Sequence, residues 1–316
     1  MTITQLNYIL AVAEHQNFTL AAEKCFVTQP TLSMQIQKLE EELDIKIFDR
    51  NKKPIQLTEV GKQIVIQAKN IVNESDRIKD IVDQQKGYIG GDFKLGIIPT
   101  VTPTLLPMFL TNFINKYPNV NLIIEEYNTE EIIYKLKNGQ LDAAIAATPL
   151  SEQNIKEIVL YYEPFVGYIP EQFRNGKSQI EPEDLDINDI LLLKDGHCFR
   201  NGILNICKSS KTDPNKKFEL TSGSFETLIK LSNEGLGVTL LPYLHSLNLN
   251  ETDKKNIIQF NNPKPSREIS LIYAKSELKA HIIEALRAVI SSVIRGAIAF
   301  QDVEIISPKL KKQANK

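Results

Sequence analysis

A chain of 316 residues is too long for a single compact core and suits about two domains of roughly 100 to 200 residues each. Hydrophobic content of 42% with 24% charged residues describes an ordinary globular protein, and a net charge of −2 gives no global argument for a nucleic-acid partner. Three cysteines cannot build a structural disulfide framework, so any disulfide here is expected to be regulatory. The opening stretch MTITQLNYILAVAEHQNF lacks the basic start and unbroken apolar run of a signal peptide, and no apolar run approaches the ~18 residues a membrane helix needs. The expected location is the cytoplasm, with no membrane partner.

Leu6, Ile9, Leu10 and Ala13 fall at helical spacing, with Thr4 as the expected cap. A short second helix is expected from about Thr19 to Lys24, where Ala21 and Ala22 allow close packing. Thr28 then reads as the N-cap of a third helix, with Pro30 in its first turn, where a missing N–H costs nothing. Leu32, Ile36, Leu39 and Leu43 form its apolar stripe, and Pro30, Ser33, Met34 and Gln37 its opposite face. Three short helices with a tight turn before the third make the helix-turn-helix pattern, whose last helix enters the DNA major groove. Phe48 to Thr58, with Asn51 and Pro54 at its turn, reads as a two-stranded wing. Residues 1–58 hold six basic and seven acidic side chains, but Lys46, Arg50, Lys52 and Lys53 cluster, so the positive charge is local.

From Glu59 to Gln85 the apolar positions Val60, Ile64, Ala68, Ile71, Ile78 and Val82 predict a helix of about seven turns. A stripe that long needs a partner. It packs either on its own small domain or on a second copy; the second is expected, because a winged domain is too small to cover it and two-fold half-sites require a dimer. Gly87, Gly90 and Gly91 then form a hinge.

Beyond the hinge, strands are expected at Phe93–Ile98, Val120–Ile124, Ala143–Ala146, Phe165–Ile169, Val238–Leu241 and Ser270–Tyr273. Helical stretches at Leu105–Lys116, Glu130–Asn138, Ser224–Asn233 and Glu277–Arg295 alternate with them. The expected fold class is therefore α/β, with an N-terminal winged helix-turn-helix, a long linker helix and a two-lobed α/β domain that resembles periplasmic binding proteins. The expected boundaries are 1–58 for the DNA-binding domain, 59–87 for the linker, 88–306 for the regulatory domain and 307–316 for a Lys-rich disordered tail.

Phe18, Ala21, Ala22, the run Val27 to Ser33, then Ile36, Leu39, Glu40, Leu43, Phe48, Arg50, Leu57, Thr58 and Gly61 resemble the signature of LysR-type transcriptional regulators. Tyr117-Pro118, the segment Leu136 to Ile145, and Gly235-Leu236-Gly237 leading to Leu241-Pro242 are similar to the family's effector domain. Cys198 within Lys194 to Arg200 (KDGHCFR), Cys207 nine positions later, Thr100 and Arg267 resemble the family's peroxide-sensing members, although Lys194 stands where those usually carry an acidic residue. The resemblance implies double-stranded DNA as partner, hydrogen peroxide as signal, a redox-active Cys198–Cys207 pair, self-association as dimer or tetramer, and contact with RNA polymerase. It implies neither a catalytic role nor a cofactor.

Phosphate contacts supply most DNA affinity and base edges supply specificity. Arg50, Lys52, Lys53 and Lys38 suit phosphates; Gln29, Thr31, Ser33 and Gln37 suit base edges, with Thr28 and Pro30 at the start of the same helix. Any one of these alone would read as a solvated polar face. A peroxide-reactive cysteine must ionise, so something must lower its pKa. Arg267 is the candidate the resemblance supplies, His197 adjoins the thiol, and Thr100 offers a hydroxyl to the peroxide. The glycines around Cys198, Gly196 and Gly202, suggest an accessible loop, whereas Cys207 after Ile203, Leu204 and Ile206 suggests a protected apolar helix face. Nine residues of helix would hold the two about 13 Å apart, so bonding them requires Cys198 to Lys211 to refold. Cys25 reads as packing. A zinc site from Cys198, Cys207, His197 and His281 matches no finger spacing, so no metal is expected. Two other functions compete: a LysR-type regulator answering a metabolite bound between the lobes, with the cysteines incidental, and a thiol peroxidase, against which the DNA-binding signature argues.

Overall fold

The computed structural model describes residues 1–85, 89–174, 176–194, 196, 198–207, 222–298 and 303–309. The chain separates into two compact units, Met1–Tyr88 and Ile89–Lys316.

In the first unit, α1 (Ile3–His15) is capped by Thr2 rather than Thr4. The Thr2 hydroxyl accepts from the Gln5 N–H and the Gln5 side chain accepts from the Thr2 N–H, a reciprocal pair that starts the helix earlier than its apolar residues indicate. Asn17 caps α2 (Phe18–Lys24), and Thr28 caps α3 (Gln29–Glu42) with Pro30 in the first turn. Leu32, Ile36 and Leu39 are buried, but Leu43 follows the helix and is exposed; Glu40 takes the inward place in the last turn. β1 (Phe48–Asp49) and β2 (Gln56–Leu57) pair antiparallel as the wing. α4 (Glu59–Gln85) runs 27 residues, and its stripe divides. Ile64, Val65, Ala68 and Val72 join the core of this unit with Leu6, Ile9 and Val12, while Ile71, Ile78, Ile81 and Val82 are exposed.

The second unit opens with β3 (Gly91–Ile97), α5 (Thr102–Lys116), β4 (Val120–Glu126), α6 (Thr129–Lys137) and β5 (Ala143–Thr148), whose strands lie parallel in the order β4-β3-β5. There follow β6 (Ile155–Tyr168), β7 (Gln179–Ile180), α7 (Cys198–Ile206), α8 (Phe225–Asn233), β8 (Thr239–Pro242), α9 (Tyr243–Leu247), α10 (Glu251–Lys254), β9 (Ile257–Phe260), β10 (Lys264–Ala274), α11 (Ala280–Ile294) and β11 (Val303–Ile305).

β6 and β10 are much longer than the apolar alternation indicates, because β6 serves two lobes and β10 pairs with β6 on one side and with β5 and β11 on the other. Up to Pro164, β6 pairs with β10; from Phe165 it pairs with β8 and β9 instead. Two buried clusters result. One forms around Phe93, Phe109, Ile145 and Leu286, the other around Phe165, Tyr168, Phe199 and Phe260. This is the two-lobed α/β architecture expected from the sequence.

Part of the predicted tail is held. The Asn205 side-chain amide donates to the carbonyls of Ser307 (2.9 Å) and Lys309 (2.8 Å), and that of Asn201 to Pro308 (3.2 Å), so these residues lie against α7; 310–316 fall outside the described residues, as does Gly87. Among the described residues no helix is long and apolar enough to cross a membrane.

Candidate functional site

The first unit gathers polar side chains at α3 and the wing around one buried carboxylate. Glu40 lies on the i+4 continuation of the Ile36 position, and its side chain is fully buried. One oxygen accepts from the N–H groups of Ile47 (2.8 Å) and Phe48 (3.2 Å), tying the end of α3 to the start of the wing. The other receives Arg50 Nη2 at 3.3 Å and lies 3.7 Å from Lys46 Nζ. Arg50 also donates to Ser33 Oγ at 3.3 Å and stacks 5.1 Å from the centre of the Phe18 ring. Its guanidinium is therefore fixed in place with more than a third of the side chain still exposed.

Gln29, Pro30, Lys38, Lys52 and Lys53 are exposed. Thr28 and Thr31 share a hydroxyl contact of 2.8 Å at the helix start, and Gln37 donates to Glu41 at 3.0 Å. Ser33 and Gln37, expected to face bases, thus already hold intramolecular partners. The acidic count of the first 58 residues also overstates the negative charge of this face, since Glu40 is buried and matched by Arg50 and Lys46.

In the second unit, β6 and β10 run side by side where the chain passes between the lobes, and their register sets Arg267 opposite Glu163. Both are buried. Arg267 Nε and Nη2 donate to Glu163 Oε2 at 2.9 and 2.7 Å, and Nη1 donates to the Thr100 hydroxyl at 2.8 Å. Nη2 also reaches the Thr100 carbonyl at 3.1 Å, and Glu163 Oε1 accepts from the Leu244 N–H at 2.9 Å. A buried ion pair is tolerated when its remaining donors and acceptors are matched, as here. The guanidinium carbon lies 5.1 Å from the centre of the Phe199 ring on α7.

Cys198 is the first residue of α7, not part of an open loop, and its side chain is buried. Phe199, Ile203 and Ile206 supply the apolar face that extends the helix back to it, and Gly196, at φ +90°, makes the turn into it. Gly202 lets α7 approach closely: a Cβ there would sit 3.0 Å from the Phe165 ring. Burial pushes the Cys198 thiol above its ordinary pKa; the Arg267 charge, the Thr129 hydroxyl and the N–H groups of Phe199 and Cys198 at the helix start pull it back. The expected lowering by Arg267 has the right sign, but burial outweighs it. The Thr129 hydroxyl has no nitrogen or oxygen partner among the described residues, nor has that of Tyr161, which burial and Glu163 hold in its neutral form. His197 falls outside the described residues.

Cys207 follows α7 directly and is buried in the core of the second lobe. Burial, reinforced by Asp186, pushes its thiol up to about 12. The nine residues of α7 span about 13 Å at 1.5 Å per residue, well beyond the roughly 7 Å between Cα atoms that a disulfide tolerates. Cys25 caps the end of α2 and packs half-buried against the first unit's core.

Thr100, Arg267 and Cys198 are thus brought together, and Cys207 is kept apart. Sequence reasoning named Glu40 only within the family signature, without a role, and missed Glu163 and Thr129. The first two leave a signal, a carboxylate inside an apolar pattern: Glu40 on the Ile36 stripe and Glu163 within YYEPF. Thr129 leaves none beyond its place after the Asn128 cap.

Residues 86–295 match the LysR substrate binding domain family, and residues 3–62 match the bacterial regulatory helix-turn-helix protein family of lysR type. The chain is 34% identical over 275 residues to a hydrogen peroxide-inducible genes activator of Pectobacterium carotovorum subsp. carotovorum, covering 86% of this chain and 90% of that one. It is 33% identical over 293 residues to the DNA-binding transcriptional dual regulator OxyR of Escherichia coli strain K12, covering 91% and 95%. A full-length OxyR variant from Pseudomonas aeruginosa has a similar structure, with a TM-score of 0.73 at 34% identity over 92% of this chain and 98% of that one. A hydrogen-peroxide-bound OxyR variant from Corynebacterium glutamicum gives a TM-score of 0.61 at 28% identity over 94% and 93%. Two family matches that together span nearly the whole chain, joined to a winged helix-turn-helix and a two-lobed α/β unit, place this protein in the LysR family of bacterial transcriptional regulators.

Proposed function

We propose that the chain is a peroxide-responsive, DNA-binding transcriptional regulator, and that Cys198 is the group oxidised. The observation that carries this reading is the setting of Cys198 at a helix N-terminus, with a fixed arginine and a buried threonine hydroxyl that acts on the thiol and has no nitrogen or oxygen partner among the described residues. The thiolate attacks one peroxide oxygen, the O–O bond breaks, and hydroxide leaves; Cys198 becomes a sulfenic acid. Thr100, Thr129, Arg267 and His197 are assigned to hold the peroxide and stabilise the departing negative charge. The Cys207 sulfur then attacks the sulfenic sulfur, and the hydroxyl departs with the Cys207 thiol proton as water to leave a disulfide. Because α7 separates the pair, the second step requires that helix to unwind, and the refolding is the switch.

On the first unit, Arg50, Lys38, Lys52 and Lys53 are assigned to phosphates, and Gln29, Thr31, Ser33 and Gln37, with Thr28 and Pro30 at the helix start, to the major groove. The exposed part of the α4 stripe is assigned to self-association as a dimer that pairs to a tetramer. RNA polymerase is the downstream partner and the cytoplasm the working compartment. Ile71→Glu should give monomers by sedimentation with the fold intact, whereas Ile64→Glu should unfold the unit. An unchanged oligomer with Ile71→Glu would remove α4 as the interface.

Counting thiols before and after one equivalent of peroxide tests the sensor. Loss of two thiols with a Cys198–Cys207 linkage by mass spectrometry is expected. A dominant link from Cys25, or no loss, would leave a regulator that answers another signal.

A further inference from the structure

Phe26 lies in the turn between α2 and α3, and its side chain is 96% exposed. Its backbone is left-handed, at φ +56°. The Phe26 N–H returns to the Glu23 carbonyl (3.1 Å) and the Val27 N–H to the Ala22 carbonyl (3.0 Å), the paired bonds of a Schellman closure. Glycine is the ordinary occupant of that position, because a bulky side chain is strained there. Two unfavourable choices therefore coincide at one residue: a strained backbone, and a large ring that gains nothing from burial within its own unit. Strain and an uncovered aromatic at one place point to a contact made with another molecule.

Position says which molecule. Phe26 precedes the Thr28 cap by two residues, and the exposed Gln29, Pro30 and Thr31 continue the same edge. That is the N-terminal end of the recognition helix, the end that meets the duplex in helix-turn-helix docking. A duplex presents apolar surface there as thymine methyl groups and deoxyribose carbons.

We propose that the Phe26 ring packs on the apolar surface of the DNA at the edge of each half-site. It then supplies non-ionic affinity, complementing the phosphate contacts of the wing.

The test uses the full-length reduced protein and the duplex it selects from a random-sequence pool, with Phe26→Ala and Phe26→Gly. Both variants should bind about tenfold more weakly, with the dependence of affinity on salt unchanged, since an apolar contact releases no counterions. Phe26→Gly should unfold at or above the wild-type temperature, because glycine fits the left-handed backbone. Duplexes with deoxyuridine in place of thymine separate the two surfaces. Weakening of the wild type but not of Phe26→Ala assigns the ring to a methyl group; equal behaviour assigns it to the sugar. Binding within twofold of wild type, a shallower salt slope, or a loss that accompanies dissociation of the oligomer would overturn the proposal.

Discussion

The two ends of α7 hold the same functional group in opposite surroundings. At the N-terminal end, Cys198 is buried but meets a helix start, a guanidinium held by Glu163 and Thr100, and the Thr129 hydroxyl. At the other end, Cys207 is buried in the apolar core of the second lobe, where burial, reinforced by Asp186, pushes its thiol up to about 12. Burial raises both thiols. Among the described residues, groups that favour a sulfur anion act at Cys198 and not at Cys207. The lesson is that the contrast between the two sulfurs lies in the second contribution, not in burial, and on the proposed scheme that contrast sets the order of reaction: Cys198 first, Cys207 once the helix between them gives way.

The largest expected effect follows from that asymmetry. Cys198→Ser should abolish the peroxide-dependent change in a DNA footprint, whereas Cys207→Ser should still form a sulfenic acid that a dimedone-type probe captures, with no disulfide. Equal loss of oxidation in both variants would make the two ends equivalent. Next is the ion pair: Arg267→Met strands a buried carboxylate and should cost about 3–5 kcal/mol in denaturant unfolding. Glu163→Gln in the same background should recover part of it, and full stability of Arg267→Met would show that the pair does not organise the Cys198 end.

A smaller effect concerns alkaline pH. The folded Cys207 thiol is raised from an ordinary 9.0 to about 12, so unfolded chains lose this proton first as pH rises. Its stabilising contribution is complete below about pH 9 and is lost as pH climbs toward 12. Cys207→Ala should flatten the fall in stability with pH across that window, and an unaltered profile would remove the contrast between the two thiols. Smallest is Cys25→Ser: half-buried in the other unit, it should leave the peroxide response unchanged and shift stability by about 1 kcal/mol or less in urea titrations.

Legibility in the sequence followed how local the cause was. Thr28 and Pro30 announce α3, and uninterrupted periodicity announces α4 over its full length, because capping and helical spacing depend on near neighbours. β6 and β10 were read only in part, since a strand buried on both faces loses its alternation and a strand shared by two lobes changes partners at Pro164 without a local marker. At the site, Cys198, Thr100 and Arg267 were legible through their resemblance, but the ion pair that fixes Arg267 depends on a cross-strand register that no spacing reveals. The glycines around Cys198 suggest an accessible loop, but Cys198 opens α7. One of them makes the turn into α7, and the other makes room for Phe165.

The amides of Asn201 and Asn205 on Ser307, Pro308 and Lys309 lace the outer face of α7 to the end of the chain. Directly before these residues, the Ile306 N–H bonds the Ser266 carbonyl at 2.7 Å, and β11 lies along β10 up to the residue next to Arg267. The chain thus closes a mechanical circuit from α7, through its lacing, to the strand that carries Arg267. On the proposed scheme, unwinding α7 would unfasten that lacing and slacken the support of Arg267, so a Cys198–Cys207 disulfide would dismantle the setting assigned to the first oxidation. A trigger wired as proposed would disarm itself on firing, and re-forming the helix would re-arm it.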